Sequence, residues 1–221
     1  MKERILFKDE YFALVLKSTG EDAQTFFKVF FCGKKYVEAV NRLDKPVSGL
    51  VIVAFSQTVH TALNKLFNNR RIEKEYWAIC KKKENLQHNK LKIIENYLSF
   101  NPKIQKGFVC KSSAEGKKAS LYWELAGTGE HYNFLRIIPI TGRTHQIRIQ
   151  LANLGMPIKG DIKYGFERTE KSGGIRLHAY SLKFVHPVTN ENIVCSVLPP
   201  NQDALWTACT KACLKKQGAA E

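Results

Sequence analysis

The 221-residue sequence predicts an α+β fold on a mostly antiparallel sheet. Three observations lead there. Short apolar segments rich in Val, Ile, Phe and Tyr recur along the chain, only three stretches carry apolar residues at helical spacing, and the two kinds do not alternate as parallel βαβ units would require. No repeat or low-complexity linker breaks the pattern, so residues 1–221 are expected to form one domain.

In chain order, ILFKDEYFALVLKS reads as two apolar segments around a charged turn, hence a hairpin. The run from Val47 to Phe55 is β-branched and almost wholly apolar, which fits a strand buried on both faces. Val59, Leu63, Leu66 and Phe67 then mark one face of a helix from about Thr58 to Asn68. A polar bend leads into a strand beginning near Glu75, in which Tyr76 and Trp77 point to opposite faces, with Trp77 in the core. Several short strands with a basic loop at Glu115 to Lys118 are expected between Leu91 and Leu125, followed by a strand from Tyr132 to Ile140. Thr141-Gly142-Arg143 reads as a turn, with Thr144 as N-cap of a helix whose core face is Ile147, Leu151 and Leu154. Strands near Ile175–Val185 and Ile193–Leu198 and a short helix through Leu205, Ala208, Cys209 and Ala212 close the chain.

Charge narrows the function. Lys plus Arg number 35 against 20 for Asp plus Glu, a formal +15, which favours a polyanion as partner because each phosphate contact releases counterions. No apolar run approaches the ~18 residues of a membrane span, and the first residues lack a secretory or organellar pattern, so a soluble cytoplasmic protein is expected. The six cysteines are scattered, with only Cys209 and Cys213 at helical spacing, and His60, His88 and His131 stand alone. Buried thiols and no metal are the expectation.

P-loop, GxSxG and HExxH patterns are absent, and Gly127-Thr128-Gly129 reads as a hairpin turn. What remains is NRLDKPVSGL, residues 41–50, with Asp44 between Arg42 and Lys45; Tyr76; and the cluster Arg143, His145, Gln146 and Arg148. An aspartate flanked by fixed cations stays ionised, which suits a nucleophile or base, but a surface salt bridge would leave the same pattern.

NRLDKPVSGL resembles the HRLDxxTSGL motif of RluA-type RNA pseudouridine synthases. Three more blocks follow in the family's order: Lys74-Glu75-Tyr76 is similar to its K-x-Y strand, TGRTHQIRIQLANLGMPIKGDIKYG to its G-R-T-H-Q-I-R helix with the trailing P-I-x-G-D-x-x-Y-G loop, and Leu177-His178-Ala179 through His186-Pro187 to its L-H-A and H-P segments. The resemblance implies a mixed, curved, mostly antiparallel sheet with flanking helices and a central basic cleft. It also implies isomerisation of uridine to pseudouridine in rRNA or tRNA by base flipping, without cofactor or metal. Carried over by motif, Asp44 reacts with the ribose or the base, Tyr76 stacks on the uracil, and Arg148 pairs with the aspartate. Ile147 packs on the flipped base, Arg42 fills the gap that base leaves, and Arg143, His145 and Gln146 contact phosphates, with Lys45 beside them on the substrate. His178 and His186 are expected to be structural.

Asn41 and Val47 depart from the family's histidine and threonine, and Leu16-Lys17-Ser18-Thr19-Gly20 stands where many members have N-K-P-x-G. The chain begins almost at the catalytic domain, so a stand-alone monomeric catalytic domain is expected, without a small RNA-binding module in front. A catalytically silent RNA-binding or RNA-folding protein on the same fold is the alternative. A DNA-binding protein finds no helix-turn-helix or zipper signature.

Overall fold

The computed structural model describes residues 4–87, 90–171 and 173–218. His88 lies outside them. In chain order the strands are β1 (Ile5–Lys8), β2 (Phe12–Lys17), β3 (Glu38–Ala39), β4 (Ser48–Ala54), β5 (Glu73–Lys81), β6 (Lys92–Asn101), β7 (Lys106–Cys110), β8 (Lys117–Thr128), β9 (Tyr132–Pro139), β10 (Leu177–Val185) and β11 (Asn192–Ser196). The α-helices are α1 (Gln57–Asn68), α2 (Gln146–Asn153) and α3 (Ala204–Gln217). The fold is α+β. The chain forms two compact units, Met1–Glu75 with His178–Pro200, and Tyr76–Leu177 with Asn201–Glu221.

In the first unit the predicted hairpin is β1 against β2, and β2 pairs antiparallel with β4 from Phe12↔Ala54 to Lys17↔Gly49. All seven residues of β4 are buried, as its unbroken apolar sequence requires of a strand covered on both faces. On its other side β4 runs parallel to β10, through His178↔Ser48 and Ala179↔Gly49, and this pair makes the sheet mixed. Gly49 permits it: φ is +130°, and a Cβ there would lie 2.4 Å from the Ala179 carbonyl oxygen. β10 and β11 form an antiparallel hairpin. The core gathers Phe12, Leu14, Leu50 and Ile52 from the strands, Val59 and Leu63 from α1, and Leu182 and Phe184 from β10. Ser56 caps α1 by accepting a hydrogen bond from the Val59 N–H at 3.3 Å.

Both histidines of the β10 segment are structural. His186 is buried, its Nε2 donating to Asp9 Oδ2 at 2.9 Å while Nδ1 accepts from the Val188 and Thr189 N–H groups, each at 3.0 Å. His178 is fully buried and donates from Nε2 to the Val197 carbonyl at 2.8 Å, so its Nδ1 accepts the Ser48 hydroxyl, also at 2.8 Å. Burial lowers its pKa from 6.5 to about 4, against the opposing pull of the Val197 bond. The unfolded imidazole therefore takes up a proton near pH 6.5 while the folded one stays neutral. The stability held by neutral His178 is complete above pH 6.5 and is lost as pH falls toward 4, up to about 3 kcal/mol. Urea midpoints at pH 7.5 and 4.5 should differ accordingly, and the non-titrating His178→Asn should flatten that part of the slope.

In the second unit β9 lies between β5 and β8, and β6 lies between β8 and β7, all antiparallel. The sequence suggests several short strands from Leu91 to Leu125, but β6 and β8 are long, at 10 and 12 residues, and Lys117 and Lys118 belong to β8 rather than to a loop. Neither face of β6 is consistently buried, so its apolar alternation is loose and hides its length. The hairpin turn expected at Gly127 to Gly129 falls slightly later: Gly127 and Thr128 still belong to β8, and the turn closes with the Gly129 N–H on the Tyr132 carbonyl at 2.8 Å. Helix α3 packs on β8 and β9 with Cys209 and Cys213 buried on it and in no disulfide; a Cβ at Gly127 would come within 2.8 Å of Ala212.

Helix α2 differs from expectation. Its N-cap is His145, not Thr144, and no side chain caps it. The cap residue is left-handed, with φ 56°, a conformation that a β-branched threonine resists more than histidine does. Nor does α2 have a single core face: every residue from Gln146 to Leu151 is buried.

Candidate active site

The loop carrying Asp44 is fixed by its main chain. Leu43 is buried while Arg42 and Lys45 are exposed and Asp44 is half-buried. The Val47 N–H donates to the Asp44 carbonyl at 2.9 Å, closing a turn through Lys45 and Pro46, and the Gly20 N–H donates to the Lys45 carbonyl at 2.8 Å. Asn41 braces the strand side: its Oδ1 accepts from the Ile52 N–H at 2.7 Å and its Nδ2 donates to the Leu50 carbonyl at 3.1 Å. The asparagine that departs from the family motif therefore uses both ends of its amide.

Lys17 is the residue that sequence reasoning missed. It ends an apolar strand, where a lysine ordinarily reaches solvent, yet it is fully buried. Its Nζ donates to the carbonyls of Val47 at 2.6 Å, Ser18 at 3.0 Å, Lys45 at 3.1 Å and Asp44 at 3.3 Å. Burial lowers its pKa from 10.5 to about 8, with the charges of Glu21 and Asp44 acting in the opposite direction. At neutral pH it remains an ammonium, and its carbonyl partners gather the Asp44 loop around one positive charge. Glu21 is itself tied to Arg4 at 2.5 Å.

In the second unit Tyr76 stands on β5 opposite Ile137 of β9. It is half-buried and Trp77 fully buried, which matches the predicted alternation. Arg148 is 5% exposed, and its guanidinium forms a fork on Asp161, Nε to Oδ2 at 2.7 Å and Nη2 to Oδ1 at 2.9 Å, with Asp161 itself 2% exposed. The Tyr164 ring lies 5.0 Å from the guanidinium carbon. The guanidinium is thus buried on a carboxylate from the GDIKYG loop. Helix spacing could not reveal a partner 13 residues away, although Asp161 belongs to a block already singled out by resemblance.

The turn before α2 is organised in the same way. Gln146 is 4% exposed: its Oε1 accepts from Thr141 Oγ1 at 2.7 Å and from the Arg143 N–H at 3.0 Å, and its Nε2 donates to the Ser120 carbonyl at 3.1 Å. The phosphate contact expected of it is not the geometry found, because both ends of its amide are used inside the fold. His145 is half-buried, with Nδ1 2.7 Å from the Tyr164 hydroxyl, which also accepts the Gly107 N–H at 2.8 Å. Arg143 is exposed, its Nε on the Lys118 carbonyl at 3.0 Å. Ile147 is buried at 7% exposure. Among the described residues no group of three or more His, Cys, Asp or Glu could hold a metal ion, and no helix is long and apolar enough to cross a membrane.

A model described as RNA pseudouridylate synthase matches residues 9–153, a span that contains Asp44, Tyr76 and Arg148. The chain belongs to the RNA pseudouridylate synthase family. Among curated relatives of this family, an uncharacterized RNA pseudouridine synthase of Zymomonas mobilis is 32% identical over 163 residues, 72% of this chain and 73% of that protein. The ribosomal large subunit pseudouridine synthase C of Escherichia coli O157:H7 is 31% identical over 192 residues, 82% of this chain but 56% of the relative. The chain thus spans little more than half the length of that relative. In fold, human RNA pseudouridylate synthase domain containing 1 superposes with a TM-score of 0.72 at 23% identity, covering 93% of this chain and 86% of the other.

Proposed function

We propose that this synthase-family chain converts uridine to pseudouridine in structured rRNA or tRNA. The main support is the family match across residues 9–153, which takes in every residue given a role in the proposed chemistry. The names of relatives such as the Escherichia coli large-subunit synthase make large-subunit rRNA the first substrate to try. In this reading the target nucleotide leaves its stack, the bond from ribose C1′ to uracil N1 breaks, the base turns, and C1′ bonds to C5. The C5 proton departs and N1 ends protonated, so the reaction is an isomerisation with no net gain or loss of atoms. Asp44 reacts with the ribose or the base, Tyr76 lies against the uracil, and Arg148 is the cation serving the aspartate. Ile147 packs on the flipped base and Arg42 fills the space it leaves. Arg143, His145 and Lys45 meet phosphates, and Gln146 serves them as a brace for the Arg143 turn.

The test is a map of pseudouridines in total RNA incubated with purified protein. New sites that require the protein support the reading and name the substrate; binding without any new site supports a silent RNA-binding protein. With phosphate contacts at Arg143, His145 and Lys45, log affinity against log salt should have a slope of about −2 to −3. A flat response would remove the electrostatic part of the reading.

A further inference from the structure

A cleft of about 440 Å³ opens beside the α2 turn, within the second unit. Ser99 and Phe100 of β6 form one wall, Glu115, Gly116 and the start of β8 at Lys117 another, and Gly142 to Thr144 the third. The volume is of ligand size. Apart from Arg143, none of these residues has a role in the reaction described above.

The chemistry of the walls is selective. Phe100 is half-buried, and its ring meets the His145 imidazole edge-on at 5.4 Å and 85°. His145 is in turn held by the Tyr164 hydroxyl, so the aromatic wall is backed by a fixed ring. The exposed Lys117 and Arg143 offer positive charge at the rim. Glu115 adds a carboxylate to the lining, which disfavours a small free anion such as phosphate and suits a group with N–H donors. An aromatic face, two cations and one acceptor together describe a site for a base with its phosphate.

We propose that this cleft holds a second, unpaired nucleotide of the RNA substrate, its base stacked on Phe100, its phosphate on Lys117 and Arg143, and its N–H edge toward Glu115. This rests on the reading of the protein as an RNA-modifying enzyme and adds to it a recognition subsite beyond the target uridine. Gly142 keeps the cleft open: a Cβ there meets nothing within 4 Å, so the fold tolerates a side chain that would fill the space.

The test separates the two ideas by measuring binding apart from turnover. Affinity for the substrate RNA is measured in the Asp44→Asn background, with and without Phe100→Ala, Gly142→Leu or Lys117→Ala. Loss of a stacked base should weaken binding roughly 5- to 150-fold for Phe100→Ala. Gly142→Leu should do the same with an unchanged urea midpoint. Ultraviolet crosslinking with peptide mass spectrometry should attach one nucleotide to the Ser99–Phe100 peptide, and Gly142→Leu should remove it. In the active protein the loss should fall mainly on KM. Unchanged affinity in both Phe100→Ala and Gly142→Leu, with no crosslink at Phe100, overturns the subsite even if the wild type makes pseudouridine. Weakened binding in both variants of a protein that makes none sustains the subsite while the catalytic reading falls.

Discussion

Asp44→Asn is expected to lower pseudouridine formation by at least about 10⁴-fold, because the amide is isosteric with the carboxylate but can neither attack as a nucleophile nor accept a proton as a base. RNA affinity should change by less than about threefold. The separation follows from how the loop is built. Lys17 Nζ, the Val47 N–H and the Gly20 N–H all grip main-chain carbonyls of this segment, and none of these contacts uses the Asp44 side chain. The variant should therefore keep its fold, with a urea midpoint close to wild type. Removing the charge takes away one of the interactions that raise the Lys17 pKa, so that pKa should fall further. The measurements are chemical mapping of pseudouridine in the modified RNA and filter binding of the same RNA. A variant that still modifies RNA would take Asp44 out of the mechanism.

The sequence carried much of this, unevenly and for physical reasons. β4 was legible because a strand covered on both faces must be apolar at every position, and α1 because it is covered on one face only and so shows a helical period. α2 has apolar residues at helical spacing too, but it is buried all round with Gln146, Arg148 and Gln150 among the buried residues, so the spacing gave a helix and the wrong idea of its faces. Capping preference chose Thr144 where the backbone needed a left-handed residue, and the side-chain bonds went to a glutamine folded back on the turn. The motif residues were found by resemblance; their supports were not. Lys17 and Asp161 are charged groups in places where local patterning expects solvent, and burying them becomes tolerable only through partners distant in sequence: carbonyls 27 to 30 residues away for Lys17 and a guanidinium 13 residues away for Asp161. Neither partnership has a local periodic signature.

Asp161→Ala should destabilise the chain, by up to about 3–5 kcal/mol, since it strips a buried guanidinium of its bidentate carboxylate. The Tyr164 ring 5.0 Å away offsets only a small part of that loss. The double substitution Arg148→Met with Asp161→Leu removes both charges and fills comparable volume, so most of the lost stability should return. Pseudouridine formation should not return with it, because in the proposed reaction Arg148 serves the aspartate as well as the fold. Urea unfolding and RNA modification assays on the single and double variants therefore separate the two roles of one arginine. A stable double variant that still makes pseudouridine would reduce Arg148 to a structural residue. A stable Asp161→Ala would mean that the fork on Asp161 is not what holds the guanidinium in place.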